Sequence, residues 1–371
     1  MALAGFLSQH GIDYELMERA CDFSEQGFAL GLWSNGRAML QRLGVAKAFD
    51  AAGTAIRQYE TRDGHGRLLR QFPLGQFEER FGCGYVQVER KRLHGMLCGC
   101  AEASRLRMGR GFVGLQQRDD GVVVRWEDTS GAAAEDRFDL VVGADGVSSA
   151  VRAAAFGAGL ERYTGWRSWY GWVEQSLVPR GAMVEFLAAG RCAALFDDAH
   201  GERALGVFFA AQEPGMAAES PRQVRTLFAQ TVPGLAAVLE SAGDTVRLGA
   251  DLATVQLRRW ASGRVVLLGD AAHAFEPHNG LGASMAMEDA AVLAEELANI
   301  GENRNQIDGA LAAYERRRRG RVTMAQRISE RIRLFAFVRG AMRRRLADRG
   351  IRILPRGVVE RDYFRLFEGG V

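Results

Sequence analysis

Cysteine is scarce and poorly spaced for metal. The five present, Cys21, Cys83, Cys98, Cys100 and Cys192, are an odd number, and Cys98-Gly-Cys100 is too tight for half of an ordinary zinc site. A reducing cytoplasm is the expected setting. No apolar run is long enough to cross a bilayer, and no charged-then-apolar leader opens the chain. No internal repeat, low-complexity linker, catalytic triad or metal cluster stands out. Lysine is nearly missing, with only Lys47 and Lys91.

What remains is a chain of 371 residues, 47% hydrophobic and 25% charged, enough for two interlocking soluble domains. Its net charge of +3 hides an imbalance. Residues 314–356 hold fifteen arginines, no lysine and three acids, a local +12, so the remainder carries 3 − 12 = −9.

The richest stretch begins at Val265-Val266-Leu267-Leu268. This apolar run reads as a buried strand and ends in Gly269-Asp270, after which a Pro/Gly loop leads into a long helical segment. A carboxylate is thereby delivered to a strand's carboxyl end, where ligands sit in α/β sheets. The free N–H groups of the following helix suit an electron-rich group. Upstream, Phe138 to Val142 reads as a second buried strand, ending near Asp145-Gly146, with Ser149 and Arg152 beyond. In Arg90-Lys-Arg-Leu93-His-Gly-Met-Leu97 the leucines lie one helical turn apart, leaving Arg90 free at the start.

Together these segments resemble single-component FAD-dependent monooxygenases of the aromatic-hydroxylase type, similar to 4-hydroxybenzoate and salicylate hydroxylases. The likeness rests on Gly269-Asp270-Ala271-Ala272-His273, Pro277, Gly280, Gly282 and Ala286 to Ala290, on Asp145, Gly146, Ser149 and Arg152, and on the Arg90 helix. It implies a Rossmann-like FAD-binding domain interleaved with an α+β substrate domain on a mixed sheet, plus C-terminal helices. The expected bounds are 1–55, 85–155 and 250–310 for the first, 56–84 and 156–249 for the second, and 311–371 for the helices. By resemblance, FAD is held by Glu18, Arg19, Arg90, Asp145, Gly146, Gly269, Asp270, Pro277, Gly280, Gly282 and Ala283. Asp270 takes the ribityl chain, and the helix N-terminus faces the pyrimidine edge of the flavin.

The N-terminus departs from the family pattern. Met1 to Gly11 reads as most of a helix, with Gly11 as its C-terminal stop, and Ile12 to Glu18 as a strand ending in the ribose-binding acid. The glycine fingerprint belongs about twenty residues before that acid, which places it at or before Met1. The first strand and the Gly-x-Gly-x-x-Gly loop are therefore expected to be absent. Either the start is placed too far downstream, as the intact later motifs favour, or a truncation has weakened the flavin site. Restoring the segment is expected to restore tight FAD binding.

Asp63-Gly64 and Asp120-Gly121 signal hairpins. From Gly165 to Leu248 the chain is aromatic-rich and strand-like, and by resemblance forms the sheet that roofs the substrate pocket. Trp172, Phe186 and Phe208 are its candidate pocket residues, with core packing the competing role of each. His278, in the Pro-Gly loop, is the candidate general base, whereas His273 reads as a structural hydrogen-bonding group. Val322, Ala325, Ile328, Ile332, Phe335, Val338, Met342 and Leu346 form a narrow apolar stripe predicted to be one helix, stopped by Gly350 and Pro355. That arginine-rich helix either docks on the flavin domain or meets an anionic membrane surface peripherally. Nucleic acid is disfavoured, because no recognition motif accompanies the charge.

The implied reaction uses NAD(P)H, bound transiently, and O₂ to hydroxylate or epoxidise an aromatic or other electron-rich lipophilic molecule through a C4a-hydroperoxyflavin. The protein is expected to act as a monomer or homodimer. A halogenase would need a Trp-x-Trp-x-Ile-Pro motif and a catalytic lysine, whereas Trp169 and Trp172 are misspaced and both lysines lie in unsuitable segments. A reductase on the same fold would turn over without O₂. A non-catalytic remnant would bind no flavin even with the N-terminal segment restored.

Overall fold

The computed structural model describes residues 1–22, 29–174, 178–198, 203–211, 220–355 and 357–369. Four short strands form two parallel pairs. β1 (Leu16–Glu18) pairs with β2 (Leu106–Met108), and β3 (Val141–Gly143) with β4 (Val265–Leu267). Among the described residues the two pairs belong to separate sheets. Val265, Val266 and Leu267 are fully buried, as a β-branched strand covered on both faces should be.

β3 corrects one expectation. Phe138 ends an antiparallel strand, Ala133–Phe138, and the chain re-enters a sheet only at Val141. Val141 and Val142 are half-buried, because among the described residues β3 is an edge strand paired only with β4. The strand ending at Glu18 is likewise shorter than the predicted Ile12–Glu18.

A seven-stranded mixed sheet forms a separate layer. Its order is Arg247–Val255, Glu161–Glu174, Arg203–Ala211, Arg191–Phe196, Ala182–Ala188, Gln58–Asp63, Leu68–Pro73. The last two strands are antiparallel neighbours joined through the turn that Asp63-Gly64 predicts. One face packs Trp169, Phe186 and Phe208 beneath helices Pro221–Thr231 and Ala236–Ala242, where Phe228 meets Phe208 edge-on. The other face presents Tyr59, Met183 and Phe196 to the core that surrounds β4.

Five helices bear on the site and on the C-terminal region: α1 (Ala150–Phe156), α2 (Leu281–Ile300), α3 (Ile307–Ala336), α4 (Ala341–Ile353) and α5 (Val358–Glu368). The single C-terminal helix predicted from the apolar stripe is two helices. Phe337 stacks on Trp166 with ring centroids 4.4 Å apart, and Gly340 then takes φ 85°, a conformation that suits glycine and ends helical geometry. Val322, Ala325 and Ile328 are buried as the stripe requires, but Met342 and Leu346 lie beyond the break and are exposed. Among the described residues, no helix is long and apolar enough to cross a membrane.

Candidate functional site

The pairing of β3 with β4 brings the two acidic motifs together. Gly143 lies opposite Leu267, and the Leu268 N–H donates to the Gly143 carbonyl at 3.1 Å. Asp145 and Asp270 thus leave adjacent parallel strands from the same, carboxyl, end. Arg152 fastens the two motifs. Its buried guanidinium donates to the Ala271 carbonyl at 3.1 Å and the Val147 carbonyl at 2.6 Å, and pairs with Glu161 at 2.9 Å.

The two acids are used differently. Asp145 accepts from Ser149 Oγ and, at 3.0 Å, from the Val151 N–H, while Ser149 Oγ accepts from the Arg152 N–H at 2.9 Å. These bonds satisfy donors at the start of α1. Asp270 is exposed and makes no side-chain hydrogen bond among the described residues. Protein packed around it raises its pKa by desolvation, which His273 and Arg90 oppose and Asp289 reinforces.

The first turn of α2 looks onto Asp270. A Cβ built on Gly282 would stand 3.8 Å from Asp270 Oδ1. Gly280, with φ 64°, caps the helix after the Pro277–Asn279 turn. A side chain there would strike the Tyr85 ring within 3 Å. Glycine at 280 therefore allows both the left-handed turn and the close packing of Tyr85 against it.

Beneath the turn lies a buried ionic network. Asp289 accepts from the Gly269 N–H at 3.0 Å, meets His273 Nε2 at 2.5 Å and accepts from Arg318 at 2.7 Å. Glu288 pairs with Arg318, with Arg321 at 2.6 and 2.9 Å, and with Asn35 at 2.8 Å. Burial pushes both carboxyls up, but neighbouring cations outweigh it, His273 and Arg318 at Asp289 and Arg318 and Arg321 at Glu288, and both titrate below their ordinary values. Trp33 adds a second tie, donating through Nε1 to the Asn279 carbonyl at 3.0 Å and through its N–H to Ser284 Oγ at 3.1 Å.

The other expected site residues are distributed around this centre. Glu18 ends β1 and accepts from the Ala20 N–H at 2.9 Å, and Arg19 beside it is exposed. Arg90 is exposed at the start of its helix, close enough for its charge to act on Asp270. Gly146 has φ 81°, Pro277 is exposed and Ala283 half-buried. Gly269 turns the chain at φ 58°. His273 is buried between Trp260 and Phe275. His278 falls in the Pro277–Asn279 turn, but its side chain lies outside the described residues. Trp172 is half-buried. Phe186 and Phe208 point into the core beneath the two covering helices, on the face turned away from Asp270.

Sequence reasoning did not single out Arg318, Trp33, Ser284 or Glu276. Two adjacent acids in the apolar run Ala286 to Leu293 were the available signal, since buried acids demand cations. Glu276, next to Pro277, is buried with Oε1 lacking a hydrogen-bond partner among the described residues. Desolvation raises its pKa from the ordinary 4.5 to about 7, although Arg333, 3.6 Å away, pulls it down.

With this geometry in place, the comparisons with known proteins agree closely. The FAD binding domain family matches residues 1–193 and 211–329. The chain is 28% identical over 341 residues to 6-hydroxynicotinate 3-monooxygenase of Pseudomonas fluorescens, covering 88% of this chain and 87% of that one. It is 32% identical over 305 residues to 3-amino-4-hydroxybenzoate 2-monooxygenase of Streptomyces cremeus, covering 79% and 74%. The crystal structure of Klebsiella pneumoniae HpxO complexed with FAD and uric acid superposes with a TM-score of 0.85 at 25% identity, covering 100% of this chain and 94% of that one.

Proposed function

The chain belongs to the FAD binding domain family, and from that premise we propose that Asp270 and the first turn of α2 hold FAD for the oxygenation of a small aromatic compound. It is an FAD-dependent monooxygenase, as are the relatives it matches along most of its length. The observation that carries the assignment of residues is the Asp270 carboxylate. It makes no side-chain hydrogen bond among the described residues and faces the Gly282 backbone at the end of β4, while Asp145 and Asp289 beside it are already engaged.

The residues present fit the cofactor. Asp270 would accept hydrogen bonds from the ribityl hydroxyls, and Glu18 from the ribose. Arg90 would face phosphate, and the α2 N–H groups the electron-rich pyrimidine edge. Arg19, Gly146, Pro277 and Ala283 complete the proposed lining. Bound FAD supplies the reduction of O₂ by NAD(P)H and the transfer of one oxygen atom. The protein contributes position and exclusion of water: the seven-stranded sheet turns its Tyr59–Phe196 face toward β4 and shields that side from solvent.

The proposed substrate class rests on the relatives, which act on hydroxynicotinate and aminohydroxybenzoate. A planar, electron-rich aromatic is the proposed substrate, with Trp172 the candidate contact among the aromatics expected from sequence. The proposed division is a discontinuous flavin domain, the substrate sheet and the C-terminal helices. Peripheral contact of that arginine-rich end with a membrane belongs to the same reading. The test is NAD(P)H oxidation with a panel of phenolic and N-heteroaromatic acids, scored by product mass. A gain of one oxygen together with flavin loss in Asp270→Ala supports the proposal. Turnover without O₂ uptake would replace it with a reductase.

A further inference from the structure

The outer face of α4 carries apolar and basic residues in an order that a soluble surface does not explain. Leu334 at the end of α3 is 65% exposed, and on α4 Met342, Leu346 and Ile353 are 76%, 65% and 75% exposed. At about 100° per residue, Met342, Leu346 and Ile353 fall within roughly 40° of one another around the helix. Arg345, Arg349 and Arg352 follow on one flank and Arg343 stands on the other. All four are exposed. None forms a salt bridge among the described residues, and the helix's one acid, Asp348, is only half-exposed and bonded to the inward-facing Arg344 at 2.7 Å. The outward face is therefore an apolar line bordered by four guanidinium groups that form no salt bridge among the described residues.

The inner face shows that the helix is seated and not a loose tail. Ile351 is buried with Leu69, Leu187 and Phe209. Arg70 donates to the Ile351 carbonyl at 3.3 Å, and Arg344 to the Phe335 carbonyl at 2.6 Å. α4 thus lies on the seven-stranded sheet and presents its outer face in a fixed orientation.

We propose that this face docks the protein on an anionic lipid surface, the apolar line entering the acyl boundary and the arginines pairing with headgroup phosphates. This deepens the membrane contact proposed above by committing it to α4, and it needs no bound flavin. Charge chooses the occupant. A second copy of the chain in a two-fold contact would set arginine against arginine. An acidic protein or nucleic acid would satisfy the guanidiniums but leave Met342, Leu346 and Ile353 without an apolar partner. A helix of 13 residues extends about 20 Å, too short to span a bilayer and suited to lying in its surface. Docking there would bring the substrate sheet against the lipid and favour lipophilic aromatic substrates.

The test is co-sedimentation of the full chain with vesicles of phosphatidylcholine alone or mixed with phosphatidylglycerol, at low and high salt. Binding is expected only to the mixed vesicles and to weaken with salt. Arg345→Gln with Arg349→Gln should lower partitioning about 25-fold, since each arginine contributes about fivefold at such a surface. Met342→Ser, Leu346→Ser and Ile353→Ser together should abolish binding, with an unchanged circular dichroism spectrum and melting temperature. Wild-type binding that survives the α4 variants would overturn the placement on α4 while keeping the membrane contact. No binding to mixed vesicles would overturn both. Duplex DNA bound as tightly as the vesicles, or a dimer dissolved by the serine variant, would overturn the choice of lipid.

Discussion

Asp270 and Asp289 stand within one turn-and-helix unit, and their surroundings are opposites. Asp289 is buried and accepts from a backbone N–H, His273 and Arg318, which together hold its carboxyl below the ordinary range against the pull of burial. Asp270 is exposed, forms no such bonds, and its pKa is displaced upward. One carboxylate is saturated and holds the turn in shape; the other makes no side-chain hydrogen bond among the described residues, which is what the proposed FAD site requires. The contrast suggests how to separate scaffold from site in a cluster of acids: count the bonds already made.

The harshest way to break the comparison is to remove the cation shared by the saturated pair. Arg318→Ala would leave Glu288 and Asp289 buried with too little positive charge, and removing one partner of a buried ion pair costs about 3–5 kcal/mol. A melting temperature far below that of the native chain is expected, with flavin lost as a consequence. A variant that melts normally would show that the network is not the support of the turn.

Glu276 offers the next largest effect and a pH dependence. Its pKa is raised from 4.5 to about 7 by desolvation, so the folded state holds a proton that the unfolded state releases. Stability from this group is fully present below pH 4.5 and is lost as pH rises to about 7. The loss is at most about 3 kcal/mol at 1.36 kcal/mol per unit. Glu276→Gln should flatten the decline of stability across that window in denaturant titrations. An unchanged slope would mean that the carboxylate is ionised throughout.

For the unsatisfied member, Asp270→Asn should spare the fold and spoil binding. Its charge is disfavoured where it stands, so neutralising it should leave apo stability within about 0.5 kcal/mol or raise it slightly. A hydrogen bond to a charged group contributes about 1.5–3 kcal/mol, so FAD affinity, read by fluorescence quenching, should fall about 10–100-fold. Loss of stability without loss of affinity would reverse the roles given to the two aspartates.

Much of this is legible in the sequence, and the reasons are local. Val265 to Asp270 announces a strand with a carboxylate at its tip, because a β-branched run followed by glycine leaves few other conformations. Asp145 and Asp270 can be assigned to one cleft because the resemblance supplies their partnership, which β3 and β4 then realise through Arg152. Arg318 cannot be singled out among its neighbours, since in Arg316 to Arg319 only three-dimensional packing decides which guanidinium turns inward. The pocket aromatics fail for a related reason. Alternation in Val184–Leu187 and Leu205–Phe209 indicates two faces but not which one the covering helices take, and Phe186 and Phe208 lie beneath those helices. The C-terminal stripe reads as one helix because Gly340 is compatible with a helix until Phe337 stacks on Trp166.

The smallest effect sharpens the comparison by bringing in Asp145, a third acid that is neither buried nor free. Ser149→Ala would remove the cap of α1 and one of the two donors to Asp145, at about 1 kcal/mol, the usual worth of such a cap. If Asp145 serves mainly to hold α1 and, through Arg152, the Ala271 turn, then stability should fall by that amount while FAD affinity changes less than it does in Asp270→Asn. If affinity instead falls as far as in Asp270→Asn, Asp145 itself must reach the cofactor. Its bonds to Ser149 and Val151 would then exchange for bonds to the ligand on binding, and the division between saturated and unsatisfied acids would run between Asp145 and Asp289.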